Sequence, residues 1–185
     1  RWTRVHGGEA ALSALSDMRL VRWGSELLVY GIKEGKTCVV SADVAQPAAW
    51  SITDLSADGL QPRSVVQMGQ KLYALGTAGL LSSDDGRMWS PVATDFRPEA
   101  LVAAGRQSLY AQRDGTVYAS TDGVEWVAET LDEPAEWPLA NYVSAAQLSR
   151  TDKQLENILM VGSADGQAKV WKRVVDLTGH ENFGW

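Results

Sequence analysis

Two glutamates and a tryptophan in one short segment have the types and spacing that could perform chemistry on a sugar. Glu133, Glu136 and Trp137 lie within Asp132–Pro138, which also contains two prolines. Glycoside hydrolases use paired carboxyl groups, and an aromatic ring can accompany them in binding a sugar. The same composition is also typical of a solvated, proline-stiffened loop. Because loops often carry function, we select these three residues as candidate ligand-binding residues.

Other residue types and the overall charge argue against several further classes of site and partner. His6 and His180 are far apart and lack partners at ligand spacing, so we expect no metal. The chain has neither a calcium loop nor a phosphate-binding glycine loop, and we expect no cofactor. Cys38 lies in an apolar run and is predicted to be a small buried residue. The net charge of −6 argues against nucleic acid, and no apolar stretch is long enough for membrane insertion.

A turn that occurs twice indicates fold rather than chemistry. The first copy reads S-x-D-x-G-x-x-W, and the second has one residue fewer before the glycine. Short acceptor side chains can bind backbone N–H groups, glycine relieves the turn, and tryptophan covers the hairpin. The residues predicted to hold the turns are Ser82, Asp84, Gly86 and Trp89 in the first copy and Ser120, Asp122, Gly123 and Trp126 in the second.

Short strand-like runs surround these turns and recur in units of about 40 residues with a tryptophan at a fixed place. Four strands in each unit predict an all-β fold, a β-propeller; a β-sandwich is the alternative but does not explain the four-strand period. The predicted blades cover residues 18–55, 64–93, 100–130 and 142–185, and residues 2–5 form a strand of a preceding or closing blade.

The repeated turn resembles the Asp-box, or bacterial neuraminidase repeat, of sialidases and of many non-enzymatic propellers. The resemblance implies a structural hairpin between the third and fourth strands of a blade, usually on the face opposite the ligand pocket. A sialidase would also carry a Phe/Tyr-Arg-Ile-Pro motif before the boxes. Phe96-Arg97-Pro98 comes closest, lacks the isoleucine and follows the first box. We interpret it as a linker and keep Arg97 as a candidate ligand-binding residue.

These observations favour a non-enzymatic binding or scaffold domain outside the cytoplasm, with a glycan or protein ligand. The alternatives are a sialidase-like glycoside hydrolase with an incomplete catalytic set, and an assembly factor. The acidic, tryptophan-rich composition also resembles uncharacterised propellers of the Bacteroidetes cell envelope. Tryptophans at both ends, Trp2 and Trp185, suggest part of a larger propeller. An open arc would expose apolar faces and favour edge-to-edge pairing with a second copy.

Overall fold

The residues that the structure describes fold mainly into antiparallel strands. The computed structural model describes residues 9–46, 49–55, 59–131, 145–147, 155–164 and 167–177. These residues include a short helix, α1 (Glu9–Leu12), and a 3₁₀ turn at Pro62–Ser64. Among the described helices, neither length nor hydropathy would allow a membrane span. The predicted strand at residues 2–5 lies outside the described residues, as do Glu133, Glu136 and Trp137.

Fifteen strands are described, and they are numbered in chain order. They are β1 (Ser16–Trp23), β2 (Glu26–Lys33), β3 (Lys36–Asp43), β4 (Trp50–Asp54), β5 (Val66–Met68), β6 (Lys71–Gly76), β7 (Gly79–Ser83), β8 (Ser90–Pro91), β9 (Ala100–Ala104), β10 (Leu109–Arg113), β11 (Thr116–Ser120), β12 (Val127–Ala128), β13 (Ala145–Gln147), β14 (Leu155–Ala164) and β15 (Gln167–Asp176).

Hydrogen bonding joins consecutive strands into four described sheets. Sheet 1 has the order β1-β2-β3-β4, sheet 2 β5-β6-β7-β8, sheet 3 β9-β10-β11-β12, and sheet 4 β13-β14-β15. A four-stranded antiparallel meander is the blade topology of propellers. In sheet 4 the pairing of β14 with β15 extends to Ala164 and Gln167.

The hairpin between β2 and β3 shows how the local sequence sets these meanders. The pairing runs up to Lys33 and Lys36, which leaves Glu34 and Gly35 as a two-residue loop. Both loop residues have positive φ, 50° and 78°. A type I′ turn requires positive φ at both positions, and its twist matches that of the flanking strands. Glycine adopts this conformation without steric cost.

The chain divides into two compact units, and the first comprises Arg1–Val65 and Lys71–Pro91. Its main core lies between one face of sheet 1 and the strands β6 and β7. The buried residues of this core are Leu28, Tyr30, Val39, Leu60, Val65, Leu72, Ala74 and Leu81. Alternate residues of a strand face opposite sides of its sheet. The other face of sheet 1 accordingly buries Val29, Cys38 and Val40 against α1 and Leu15.

Cys38 is fully buried, as predicted for a small core residue. Burial, and secondarily the charge of Asp54, raises the pKa of its thiol. The thiol is therefore kept in its protonated form, which is a weak nucleophile.

The second unit comprises Val66–Gln70 and Val92–Trp185. Its described core contains the buried residues Val102, Tyr110 and Val117 of sheet 3, against which Trp171 and Val175 of β15 pack. Arg173, on the same strand, forms an ion pair with Glu129, and its guanidinium carbon lies 5.9 Å from the centre of the Tyr110 ring. Apolar packing and a cation–π contact together hold β15 on sheet 3.

Candidate functional site

The turn between β7 and β8 is held by two side chains that accept backbone N–H groups. Ser83 Oγ accepts from the amide of Gly86 at 2.9 Å and from that of Asp85 at 3.3 Å. Asp85 Oδ1 accepts from the amides of Arg87 at 2.8 Å and Met88 at 2.7 Å. The Ser83 hydroxyl also donates to Asp85 Oδ1, at 3.1 Å. Two short side chains thus satisfy four backbone donors; we name Ser83–Trp89 the Ser83 turn.

The turn between β11 and β12 repeats this arrangement. Ser120 Oγ accepts from the amide of Gly123 at 2.8 Å, and its hydroxyl donates to Asp122 Oδ1 at 3.0 Å. Asp122 Oδ1 accepts from the amides of Val124 at 2.7 Å and Glu125 at 3.0 Å. We name the segment Ser120–Trp126 the Ser120 turn. Its serine, aspartate and glycine occupy the places that the sequence analysis gave them.

The serine and aspartate of the first turn lie one residue later than the sequence analysis placed them. Ser83 and Asp85 hold the turn, whereas Ser82 pairs with Ser90 across β7 and β8. Asp84 is exposed and accepts a hydrogen bond from Lys71 Nζ at 2.8 Å. Ser82 and Asp84 are therefore not the turn acceptors.

Strand pairing explains this correction. In each of the first three sheets a leucine of the second strand pairs with a serine at or near the end of the third strand. The pairs are Leu28 with Ser41, Leu72 with Ser83, and Leu109 with Ser120. With Ser83 as the start, both turns read S-x-D-G-x-x-W with identical spacing. An alignment of the turns without a gap would have found this register from the sequence.

Backbone hydrogen bonds lower the pKa of both turn carboxyl groups. For Asp122 the amides of the two residues after the glycine are the main cause. For Asp85 partial burial raises the pKa, but the corresponding two amides, the serine hydroxyl and the nearby guanidinium outweigh it. Both groups are therefore ionised at neutral pH and act as hydrogen-bond acceptors rather than as acids.

The Ser83 turn also contacts sheet 1 directly. The hydroxyl of Tyr30, a fully buried residue, donates to the carbonyl oxygen of Gly86 at 2.9 Å. The guanidinium of Arg87 donates to both carboxylate oxygens of Glu26, at 3.1 and 2.7 Å, and to Ser41 Oγ at 3.1 Å. These bonds fix the turn on the neighbouring sheet as well as within its own hairpin.

A partly exposed group of aromatic rings lies beside the Ser120 turn. The Phe96 ring stacks on Trp126 with centroids 4.7 Å apart, and its centroid is 4.8 Å from that of Tyr118. The guanidinium carbon of exposed Arg113 lies 5.6 Å from the centre of the Phe96 ring. All three rings are partly exposed. We name these four residues the aromatic cluster; it combines flat apolar faces with a cation.

The connection between β8 and β9 positions Phe96 in this cluster. The hydroxyl of Thr94 donates to the carbonyl oxygen of Val124 at 2.7 Å and accepts from the amide of Phe96 at 3.1 Å. Arg97, the candidate ligand-binding residue, follows directly and is exposed. The Phe96-Arg97-Pro98 segment thus lies in a connection between strands, and its aromatic ring packs on the Ser120 turn.

The structure brings together residues that the sequence analysis did not associate. Tyr30, Glu26 and Arg87 meet at the Ser83 turn, and Phe96 meets Tyr118 beside the Ser120 turn. No sequence pattern linked them, because their separations vary and pairing depends on sheet packing. Within the described residues, no group of three or more His, Cys, Asp or Glu side chains could hold a metal ion.

Comparison with known proteins supports the propeller fold and leaves the function open. A family model described as the DUF6242 beta propeller domain matches residues 1–185. No curated protein matches the chain. The family match and the antiparallel sheets together confirm the predicted all-β propeller class. From its first to its last residue, the chain belongs to the DUF6242 β-propeller domain family.

Proposed function

We propose that this domain is a non-enzymatic binding domain outside the cytoplasm, and that it binds a glycan at the aromatic cluster. The observation that carries the proposal is the stacked Phe96–Trp126 pair with Tyr118 and the Arg113 guanidinium beside it. Ring faces suit the apolar faces of sugars, and a guanidinium donates to hydroxyl or carboxylate groups.

Arg113 is able to exchange its present partner for a ligand. Its Nε lies 3.2 Å from the carboxylate of Asp114, and the two side chains are 45% and 77% exposed. Exposed ion pairs contribute about 0–1 kcal/mol, so little stability is lost when such a pair opens. A ligand carboxylate or hydroxyl could therefore replace Asp114 at low cost.

Four of the described carboxylates have roles in stabilising the fold, which supports binding rather than catalysis for these four groups. Asp85 and Asp122 accept backbone amides in the two turns. Glu26 pairs with Arg87, and Glu129 pairs with Arg173. In each case the carboxylate stabilises the fold.

A protein ligand is the second candidate, and the same cluster favours it. Aromatic residues and arginine are enriched at protein interfaces and often dominate their binding energy. Under this alternative the domain would act as a scaffold or an assembly factor. It would bind through the cluster without requiring a sugar.

A glycan array followed by calorimetry on the strongest glycan tests the proposal. Arg113→Gln should weaken binding about ten- to hundred-fold, the loss expected when a charged hydrogen bond worth about 1.5–3 kcal/mol is removed. Arg63→Gln is the matched control, because Arg63 is also exposed and pairs with Asp17 at 2.9 Å. Its affinity should equal that of the wild type.

Two results would count against the proposal. An array without any bound glycan would reject the sugar and leave a protein ligand to be tested at the same cluster. Equal affinities of Arg113→Gln and the wild type for a bound glycan would place its site elsewhere. Arg97→Gln, measured in parallel, tests whether the sequence-selected arginine contributes.

A further inference from the structure

The two turns use the carbonyl oxygen of their glycine in different ways. In the Ser120 turn, Gly123 O accepts from the indole Nε1 of Trp126 at 3.0 Å, so the turn closes on itself. In the Ser83 turn, Gly86 O accepts from the hydroxyl of Tyr30 at 2.9 Å. The corresponding indole, Nε1 of Trp89, is buried and has no hydrogen-bond acceptor among the described residues. Such an unsatisfied buried donor calls for a physical explanation.

The explanation lies in one position of the second strand. In sheet 1, Leu28 pairs with Ser41, the counterpart of Ser83 and Ser120. Tyr30 lies two residues after Leu28. The residue at the same position is Ala74 in β6 and Ala111 in β10. Alanine has no hydroxyl, so only sheet 1 among these three sheets has a hydrogen-bond donor in the side chain at this position. The Tyr30 hydroxyl also fills the space beside Gly86, since a Cβ on Gly86 would lie 2.6 Å from it.

We infer that Gly86 O is an acceptor for which the Tyr30 hydroxyl and the Trp89 indole compete, and that the Ser83 turn is a two-state latch. In the docked state, Tyr30 bonds Gly86 O and the turn is tied to sheet 1. In the self-closed state, Trp89 bonds Gly86 O, as Trp126 bonds Gly123 O. The carbonyl is satisfied in both states, so the turn can leave Tyr30 without burying an unpaired acceptor.

The two donors stabilise different states of the turn. The docked state uses a bond between two sheets and leaves one indole unsatisfied. The self-closed state satisfies the indole, takes this acceptor from the buried Tyr30 hydroxyl, and leaves the Arg87–Glu26 pair as the polar link seen between this turn and β2. Movement between sheets 1 and 2 at this turn is therefore coupled to the hydrogen-bonding state of Trp89.

Indole proton resonances measured by ¹H–¹⁵N NMR test the latch. Trp89→Phe identifies the Trp89 resonance among the eight tryptophans, and Trp126→Phe identifies a hydrogen-bonded reference. Tyr30→Phe removes the competing hydroxyl, so the Trp89 resonance should shift toward the Trp126 position. Tyr110→Phe is the control, because Tyr110 is also buried, with 3% of its surface exposed against 0% for Tyr30, but lies in sheet 3. It should leave the Trp89 resonance unchanged.

Three results would overturn the inference. The first is a Trp89 resonance that does not move in Tyr30→Phe. The second is a wild-type Trp89 resonance already at the hydrogen-bonded position, which would mean that the carbonyl serves both donors at once. The third is failure of Tyr30→Phe to fold. In the latch the Trp89 indole replaces the Tyr30 hydroxyl as the donor to Gly86 O, so this variant should fold.

The two tryptophan variants provide an independent check that does not use Tyr30. Trp126→Phe removes a hydrogen bond that is made, whereas Trp89→Phe removes a donor that is not bonded. The unfolding equilibrium constant should therefore rise about five-fold more in Trp126→Phe, the effect of one typical hydrogen bond. Equal effects of the two substitutions would contradict the latch.

Discussion

Replacing Gly86 by alanine adds one methyl group where the Ser83 turn meets sheet 1. Gly86 has a φ of 74°, a conformation that side chains other than glycine rarely adopt. A Cβ there would lie 2.6 Å from Leu28 Cδ1 and from the Tyr30 hydroxyl oxygen, and 3.1 Å from Leu72 Cδ1. All three neighbours are fully buried, so they have little room to move.

The expected loss of stability combines three effects. The left-handed conformation costs alanine about 1–2 kcal/mol. Forcing a methyl group into a packed core costs about 1–3 kcal/mol. Displacement of Tyr30 also removes its bond to the Gly86 carbonyl, worth about 0.5–1.5 kcal/mol. Together these predict a decrease of about 3–6 kcal/mol in the free energy of unfolding, a large part of the total of about 5–15 kcal/mol for a typical domain.

Gly35→Ala is the matched control for this variant. Gly35 has a φ of 78°, and a Cβ there would meet nothing within 4 Å. Its substitution therefore carries the conformational cost of about 1–2 kcal/mol without the packing cost. The difference between the two variants isolates the contact of the Ser83 turn with sheet 1.

Urea unfolding followed by tryptophan fluorescence and by circular dichroism measures both variants. The urea concentration at the midpoint of unfolding should fall much further for Gly86→Ala than for Gly35→Ala. The m value, the slope of the unfolding free energy against urea concentration, should stay unchanged if both variants unfold in the same way. Equal losses in the two variants would refute the reasoning. They would mean that Leu28 and Tyr30 make room for the methyl group, and that the turn is not tightly docked on sheet 1.

Two further predictions concern the turn acceptors. The pKa values of Asp85 and Asp122 are lowered in the folded state. Their contribution to the free energy of unfolding is therefore complete above the ordinary carboxyl pKa, and it is lost as the pH falls through the pKa values of the folded state. Acid unfolding below about pH 4 should therefore show a smaller pH dependence in an Asp85→Asn, Asp122→Asn double variant than in the wild type; an unchanged slope would contradict this. Ser83→Ala should lower the free energy of unfolding by about 1–3 kcal/mol, and Ser82→Ala by about 0.5 kcal/mol or less, in the same urea assay. A larger effect at Ser82 would restore the register first inferred from the sequence.

The fold class could be predicted from the sequence because its signals are local and repeated. Strand-like runs, turn glycines and a tryptophan recur at a regular spacing, and the meander of each sheet joins neighbours along the chain. The Ser120 turn was predictable for the same reason, since its acceptors bind amides within three residues. Such bonds depend little on the rest of the structure.

The register of the Ser83 turn was harder to predict from that turn alone, because its sequence offers two choices that are separated only by comparison with the Ser120 turn or by strand pairing. Ser82 and Ser83 are adjacent, as are Asp84 and Asp85, and local chemistry does not distinguish the members of each doublet. The pairing of Ser83 with Leu72 decides between them, because a shift by one residue would turn the core face of β7 toward solvent.

The sequence by itself determined the repeating unit, the strands and the type of turn that ends each hairpin. Tertiary structure alone decided which side chains meet across the repeats. Tyr30 and Gly86 are 56 residues apart, Glu26 and Arg87 are 61 apart, and both pairs meet because sheet 1 packs against β6 and β7. Hydrogen bonds over three residues follow from local conformation. Contacts over this range arise only when apolar burial packs one sheet against strands of the next.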